Sequence, residues 1–442
     1  MSVESDRKLA ATVAQGGKLR ALLLELWQRT RMDWGFVTDR LAVTFRKEHW
    51  IGAHERRFVS ETLYGMIRNL RRIDLALERG RKTRQSPRDL ERLIALLVLE
   101  GQLEAATAKR VLPDLDWAAV TTVDQVIAAE RKPAKRIALA ASLPDWLAAR
   151  FVADHGDRAE ALARALNERA PMTVRANTLV GDRDTLRTQL ASEKLETRNG
   201  AWSDTALVVE SRTNLFATQA FAAGAFEAQD EGSQLLAELA TPAGAKPLVI
   251  DYCAGAGGKT LAIAARLANR GRIIATDVDD HKLEELRRRA RRAKVSNARA
   301  LRIDDKELDT HVAKADLVFV DAPCTGTGAL RRNPESRWRL REDELAGFAT
   351  RQLEIVASAK RLLAPGGLLV YATCSVLAAE NEDVVAAIRA AHEDLATVPL
   401  AERFDAVRAD ALATPSAEGG ALAVAPDRHG TDGFYAQVFR RT

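Results

Sequence analysis

The sequence predicts an α/β chain in three parts: a helical N-terminal region, a small α+β module, and a doubly wound, mainly parallel sheet. Three observations lead there. Up to about residue 140 the apolar residues recur at helical spacing. Between there and about Gly224 helical and strand-like stretches mix. From Phe226 onward short apolar runs alternate with helical stretches, the rhythm of a sheet with crossover helices. The expected divisions are 1–141, 142–225 and 226–442.

In the first part Val59, Leu63, Met66, Ile67 and Leu70 form one helical face. Ser86-Pro87 predicts an N-cap with proline at the first helical position, followed by the apolar face Leu90, Leu93, Ile94, Leu97 and Val98. Lys132-Pro133 and Leu143-Pro144 mark the expected boundary. In the second part Met172–Asn177 and Ala206–Glu210 read as strands and Asp184–Leu190 as a helix. In the third, strands are expected over Leu248–Asp251, Arg272–Asp277, Ala300–Asp304, Leu317–Asp321 and Leu368–Ala372.

The 442 residues are 47% hydrophobic and 29% charged, a soluble globular balance. No apolar run approaches the roughly 20 residues needed to span a bilayer. Glu4, Asp6 and Arg7 precede any apolar stretch, unlike a secretory leader. A cytoplasmic chain without a membrane partner is expected, with a monomer as the default state.

The net charge of +5 says little alone, but the basic residues cluster. Ile67–Arg92 holds nine Lys/Arg against four Asp/Glu, Arg287–Lys294 six against none, and Arg331–Arg341 five against one. Such clusters suit phosphate contacts, although each also reads as a solvated helix face. Arg331, Arg332 and Arg337 are the expected nucleic-acid contacts, with a structural helix start at Asn333-Pro334 as the alternative.

The three cysteines, Cys253, Cys324 and Cys374, are too few and too far apart for a disulfide framework or paired zinc ligands, so no metal is expected. Each instead follows a predicted strand. The first strand runs into Asp251-Tyr-Cys-Ala-Gly-Ala-Gly-Gly-Lys259-Thr260. A Walker A loop fails there because Cys253 stands where its first glycine belongs. A dinucleotide fingerprint fails because Thr260 stands where its third glycine belongs. A nucleoside cofactor without a pyrophosphate fits better. Asp277, ending the second strand, is placed to accept hydrogen bonds from ribose hydroxyls. Asp304, ending the third, is within expected reach of an adenine edge, or is simply a loop acid.

The fourth and fifth strands deliver Asp321-Ala-Pro-Cys324-Thr-Gly326 and Tyr371-Ala-Thr-Cys374-Ser375. Thiols at neighbouring strand ends, beside a cofactor, suit covalent activation of a pyrimidine. A thiolate adding to C6 of cytosine makes C5 nucleophilic enough to take a methyl group. Asp321 could assist at N3 if burial raised its pKa, and the second thiol could help in removing the C5 proton and expelling the first. Methylation of an amino group needs no thiol. From the residues alone the two thiols cannot be ranked.

These motifs resemble the Nop/Sun family of RNA 5-methylcytosine methyltransferases. The resemblance spans DYCAGAGGK, ATD at Ala275–Asp277, DAPCTGTG, RRNPESRW, YATCS and DGFYAQVF at Asp432–Phe439. It extends upstream to Arg175 and Asn177 of an R-x-N element and to AQDEGSQL at Ala228–Leu235. Ala42–Leu75 is similar to the helical RNA-binding domain of the antitermination factor NusB, which points to the bacterial Sun/RsmB-type branch. The resemblance implies a Rossmann-like domain using S-adenosyl-L-methionine, acting on a cytosine of small-subunit (16S) ribosomal RNA. It implies that Cys374 attacks C6, that Cys324 assists product release, and that the cofactor meets Cys253, Ala254, Gly255, Ala256, Gly257, Gly258 and Lys259 together with Asp277, Asp304 and Asp321. The usual motif has alanine at the place of Gly255 and proline at that of Ala256, so a more flexible loop is expected here. Transfer RNA as the substrate, or a non-catalytic RNA-binding assembly factor, are the alternatives. The second leaves both cysteines unexplained.

Overall fold

Asp89–Leu99 is the central helix of the N-terminal region, and its start shows how the region is tied together. Asp89 accepts from Trp27 Nε1 at 3.0 Å and pairs with Arg31 and Arg92, while Glu91 takes the Arg88 backbone N–H at 2.6 Å. These carboxylates place the N-cap at Arg88 rather than Ser86, so the helix begins two residues past Pro87. Leu93, Ile94 and Leu97 then bury against Val59, Leu63, Met66 and Ile67 of Ala53–Arg68, together with Trp27. Leu70 is only partly buried because it begins a new helix, Leu70–Gly80.

The computed structural model describes residues 3–82, 85–210, 214–414 and 420–442. They form two units, one of 1–169 with 330–342 and one of 170–329 with 343–442. Pro133 occupies the first turn of Pro133–Ala140 and Pro144 is the N-cap of Asp145–His155. Both prolines start helices, and helix continues to Asn167.

The segment 330–342 is built into this helical unit. Trp338 lies 5.7 Å from Trp34, which meets Trp27 edge-on at 5.9 Å. Glu335 accepts the Val37 N–H, and the Arg331 carbonyl accepts from Arg68. Arg337 is 0% exposed and donates to Ala141 O at 2.5 Å and Asn167 Oδ1 at 2.8 Å. Burial pushes its guanidinium down to about 9, which still leaves it charged at neutral pH. The expected RNA contact by Arg337 is therefore corrected: the residue is an internal strut. Arg331 is buried as well, and Arg332 is half-buried.

In the second unit a small antiparallel sheet comes first. Its strands are β1 (Met172–Ala176), β2 (Thr197–Asn199), β3 (Ala206–Val209) and β4 (Phe226–Ala228), in the order β2-β3-β1-β4. Val174, Leu207 and Phe226 bury against Leu186 and Leu190 of the helix Arg183–Ser192. Arg175 donates to Gln229 at 2.7 Å, and Asn177 Nδ2 to Gly224 O and Ala293 O at 2.8 Å each. The R-x-N element thus braces the small sheet against the helix that ends at Arg292. In the AQDEGSQL stretch, Glu231 accepts from Trp202 N and Ser203 N, and Gln234 from Ser203 and Thr205.

The large sheet contains β5 (Leu248–Asp251), β6 (Arg272–Asp277), β7 (Ala298–Arg302), β8 (Ala315–Asp321), β9 (Leu363–Thr373), β10 (Leu395–Thr397), β11 (Leu422–Val424) and β12 (Phe434–Arg441). Its order is β7-β6-β5-β8-β9-β12-β10, with β11 on β12. Strands β5 to β9 are parallel, and β12 runs antiparallel to β9. Both faces are covered: Leu317 and Phe319 of β8 enter one core, Val318 and Val320 the other. The order reverses between β5 and β8, the crevice where such sheets hold ligands. Strand β7 sits two residues earlier than expected. Arg302 at its end is clamped by Asp280 and Asp304, and Asp305 caps the next turn by accepting from Glu307 N, so Asp304 belongs to the turn.

Candidate active site

Past β5 the chain turns sharply. Gly255 and Gly257 adopt φ of 55° and 83°, conformations that favour glycine. A Cβ on Gly257 would lie 2.5 Å from Leu286, whereas one on Gly255 would meet nothing within 4 Å. The first position serves close packing and the second faces open space. Ala254 N donates to Thr276 O at 2.8 Å, and Arg289 donates to Ala256 O at 2.8 Å. That arginine restrains the loop where extra freedom was expected from Ala256. Asp277 accepts from Gly255 N and Asp279 N at 2.9 Å each, leaving one lone pair on each oxygen. A carboxylate so held, facing an open glycine turn, fits a ribose with vicinal hydroxyls. Asp304 is exposed and paired with Arg302 at 2.9 Å. Cys253 is half-buried, and burial with nearby carboxylates pushes its thiol up, which leaves it unreactive.

Asp251 lies beneath the turn. Its Oδ2 accepts from Thr260 Oγ1 at 2.6 Å, and its Oδ1 has no partner among the described residues. Burial, with Asp321 nearby, pushes the carboxyl up to about 7 from the ordinary 3.8 despite the Thr260 hydroxyl. The native state therefore holds an extra proton between these limits. The stability associated with neutral Asp251 is present below pH 4 and is lost as pH rises through about 7. Asp251→Asn cannot titrate, so the variant is expected to gain stability relative to the parent between pH 5 and pH 8. Urea midpoints of the ligand-free proteins at the two pH values measure this, and an unchanged difference would rule it out.

At the neighbouring strand ends Asp321 pairs in register with Ala372, and Ala322 N donates to Ala372 O. This juxtaposition brings Cys324 Sγ and Cys374 Sγ to 3.4 Å. Gly328 permits the close approach, because a Cβ there would lie 2.1 Å from Gly433 O, and its N–H donates to Cys374 O. The hydrogen bond to Cys374, then burial and the charges of Cys374 and Glu380, push the Cys324 thiol well up. Beside the thiols, Lys259 Nζ meets Asp321 Oδ2 at 2.6 Å and lies 5.6 Å from the Phe434 ring centre. Burial works against the Lys259 charge, but Asp321 outweighs it and holds the ammonium above its usual value. Lys259 thus offers a charged donor beside the thiols, with Asp321 as its acceptor.

Sequence reasoning missed the layer behind the thiols. Glu380 is fully buried and accepts from Thr325 N at 2.9 Å, Thr325 Oγ1 at 2.5 Å and Gln352 Nε2 at 3.1 Å. Gln352 also donates to Pro323 O, and Tyr371 OH donates to Glu380 O. Asn381 joins Thr373 Oγ1 to Ser375 O. The two cysteine-bearing turns are therefore fastened to one buried carboxylate and its neighbours. The only sequence signal was a Glu-Asn-Glu run six residues past Cys374.

A switch-point crevice with a glycine turn and the carboxylate of Asp277 suits a nucleoside cofactor, and the likenesses that follow place the chain among S-adenosylmethionine-dependent methyltransferases. Gly255 and Asp277 fit that nucleoside. Residues 239–440 match the family model described as 16S rRNA methyltransferase RsmB/F, and 143–215 match the ferredoxin-like domain of the same group. A probable ribosomal RNA small subunit methyltransferase B of Bacillus subtilis is 30% identical over 312 residues, 70% of this chain and 68% of that protein. Ribosomal RNA small subunit methyltransferase B of Xylella fastidiosa is 33% identical over 71% of this chain and 72% of its own length. The solved structure of a methyltransferase homolog from Pyrococcus horikoshii superposes with a TM-score of 0.59 at 25% identity, covering 69% of this chain and 98% of that one. The chain belongs to the RsmB/F family of methyltransferases. No helix among its described residues is long and apolar enough to cross a membrane.

Proposed function

We propose that the protein transfers a methyl group to C5 of a cytosine in small-subunit ribosomal RNA through a covalent bond between Cys374 and C6. The observation that carries this reading is the pair of thiols 3.4 Å apart, beside the Lys259–Asp321 ion pair and the glycine turn. Bound S-adenosylmethionine supplies a methyl group on a sulfonium, held by the turn from Cys253 to Lys259 and by Asp277.

Of the two thiols, which lie 3.4 Å apart, the likeness to the Nop/Sun family assigns the attack to Cys374. Its sulfur adds to C6, and the electron density gained by the ring makes C5 a nucleophile toward the methyl group that bound S-adenosylmethionine would supply, the S–CH3 electron pair returning to the cofactor sulfur. The Lys259 ammonium and Asp321 carboxylate together offer a donor and an acceptor, the complement of the N3 and amino edge of cytosine. Cys324, 3.4 Å from Cys374, is placed beside the ring that Cys374 would hold. After giving its own proton to solvent it serves as the base that takes hydrogen from C5. The double bond re-forms and Cys374 departs. The helical unit, as a NusB-like module, and Arg332 take part in holding the RNA, with a cytoplasmic monomer as the working form.

The test is bisulfite sequencing of ribosomal RNA from a strain lacking this protein. One cytosine of the small-subunit RNA is expected to lose its mark. Unchanged methylation of every RNA would overturn the reading.

A further inference from the structure

The edge of the large sheet opposite the thiols carries a second feature that the chemistry above does not use. At the starts of β5 and β6 lies a cleft of about 790 Å³ lined by Lys246, Arg270, Arg272, Thr310, His311 and Lys314, among others, and by no carboxylate. The four cations are exposed, and among the described residues none is in an ion pair. The acids on the flanking elements are engaged by other groups: Asp316 at the cleft's margin accepts the N–H of the lining residue Leu248, Glu307 pairs with Arg299, and Asp309 pairs with Arg361.

The cleft is rigidly built. Ala268, Asn269 and Gly271 all take positive φ, which turns the chain sharply between the helix Gly258–Arg266 and β6. A Cβ on Gly271 would lie 2.2 Å from Pro247 O, so only glycine lets this turn close onto Pro247 and set Arg270 and Arg272 beside Lys246. Lys314 is fixed opposite by backbone bonds to His311 O and Leu362 O. His311 is 7% exposed and its Nε2 has no partner among the described residues. Burial, Arg272 and Lys314 keep the imidazole below its usual value and hence neutral, so it adds a polar hydrogen-bonding atom to the wall rather than a further charge.

We propose that this cleft binds the phosphodiester backbone of the substrate RNA, at a place remote from the reacting cytosine. The proposal rests on the reading that the substrate is RNA. Cations that lack a carboxylate partner among the described residues, although Lys314 and Arg270 also hold the carbonyls of Thr310 and Leu267, come from three separate chain segments around an open cleft and suit a polyanion, whereas a single small anion needs donors that converge on one point. Along the strands the cleft is roughly 15–20 Å from the glycine turn. A structured RNA reaches both places at once.

The test uses the full chain carrying Lys246→Ala, Arg270→Ala, Arg272→Ala and Lys314→Ala together. These side chains are exposed, and unchanged melting and S-adenosylmethionine binding verify the fold. With unmethylated small-subunit ribosomal RNA the KM is expected to rise about tenfold or more while kcat at saturation stays the same. The slope of log affinity against log salt is expected to flatten by roughly 3, because some four phosphate contacts are lost. Unchanged KM and slope would overturn the proposal, as would an equal fall in kcat. Inorganic phosphate is titrated in parallel. Saturable sub-millimolar binding abolished by the four substitutions, with RNA affinity untouched, would assign the cleft to a small anion instead. If the parent methylates no RNA, the proposed function itself fails, which is a separate result.

Discussion

Cys374→Ala is expected to lower the rate of methyl transfer by roughly 10⁴-fold or more, the scale seen when a covalent nucleophile is removed. Folding and cofactor binding are expected to survive. The backbone of residue 374 keeps its bond from Gly328 N, and the turn remains held by Asn381 through Ser375 O. Cys324 does not take over, because burial and the Glu380 charge still push its thiol up when Cys374 is gone, and its turn is tied to Glu380 through Thr325. The measurement is transfer of labelled methyl from S-adenosylmethionine to unmethylated small-subunit ribosomal RNA, with a melting curve and a cofactor titration as controls. Transfer at the parental rate by the folded variant would refute covalent catalysis through this residue.

The parts of the site that were legible in the sequence are those that lie at strand ends. Asp251, Asp277, Asp321 and Thr373 each close a strand whose apolar run is easy to see, and a parallel sheet must bring such ends to one edge. The two cysteines were therefore placed side by side before any coordinates, and the structure sets them at 3.4 Å. Alternation of cores on the two faces followed from the same runs.

What was not legible depends on partners far away in the chain. Glu380 looks like any acid near the start of an amphipathic helix. It becomes a buried anchor only because Thr325 and Gln352, 55 and 28 residues earlier, donate to it. Arg337 belonged to a basic cluster, and counting charge along the chain cannot distinguish a phosphate contact from a guanidinium that fills the space between Ala141 and Asn167. The Lys259–Asp321 pair was not legible for a similar reason: 62 residues separate two side chains that the fold brings to 2.6 Å. The two-residue shift of β7 came from Arg302, whose ion pairs with Asp280 and Asp304 turn an apparent strand end into a loop.

Cys324→Ala is expected to arrest the enzyme on its product. The variant still has Cys374, the Lys259–Asp321 pair and the cofactor turn, so addition to C6 and methyl transfer proceed. It lacks the group that takes hydrogen from C5, so the bond between Cys374 and the ring persists. An RNA-linked species is expected on a denaturing gel after incubation with RNA and S-adenosylmethionine, at up to one RNA per enzyme, with turnover lowered by roughly 10²–10⁴-fold as for loss of a positioned base. The double variant Cys324→Ala, Cys374→Ala is expected to show no such band, which ties the adduct to the second sulfur. A Cys324→Ala enzyme that turns over at the parental rate without an adduct would mean that another base removes the C5 proton. One that is inactive and forms no adduct would place Cys324 in the addition step. The geometry favours the release role: Cys324 Sγ lies 3.4 Å from Cys374 Sγ, close to the ring carbon next to the one Cys374 would hold.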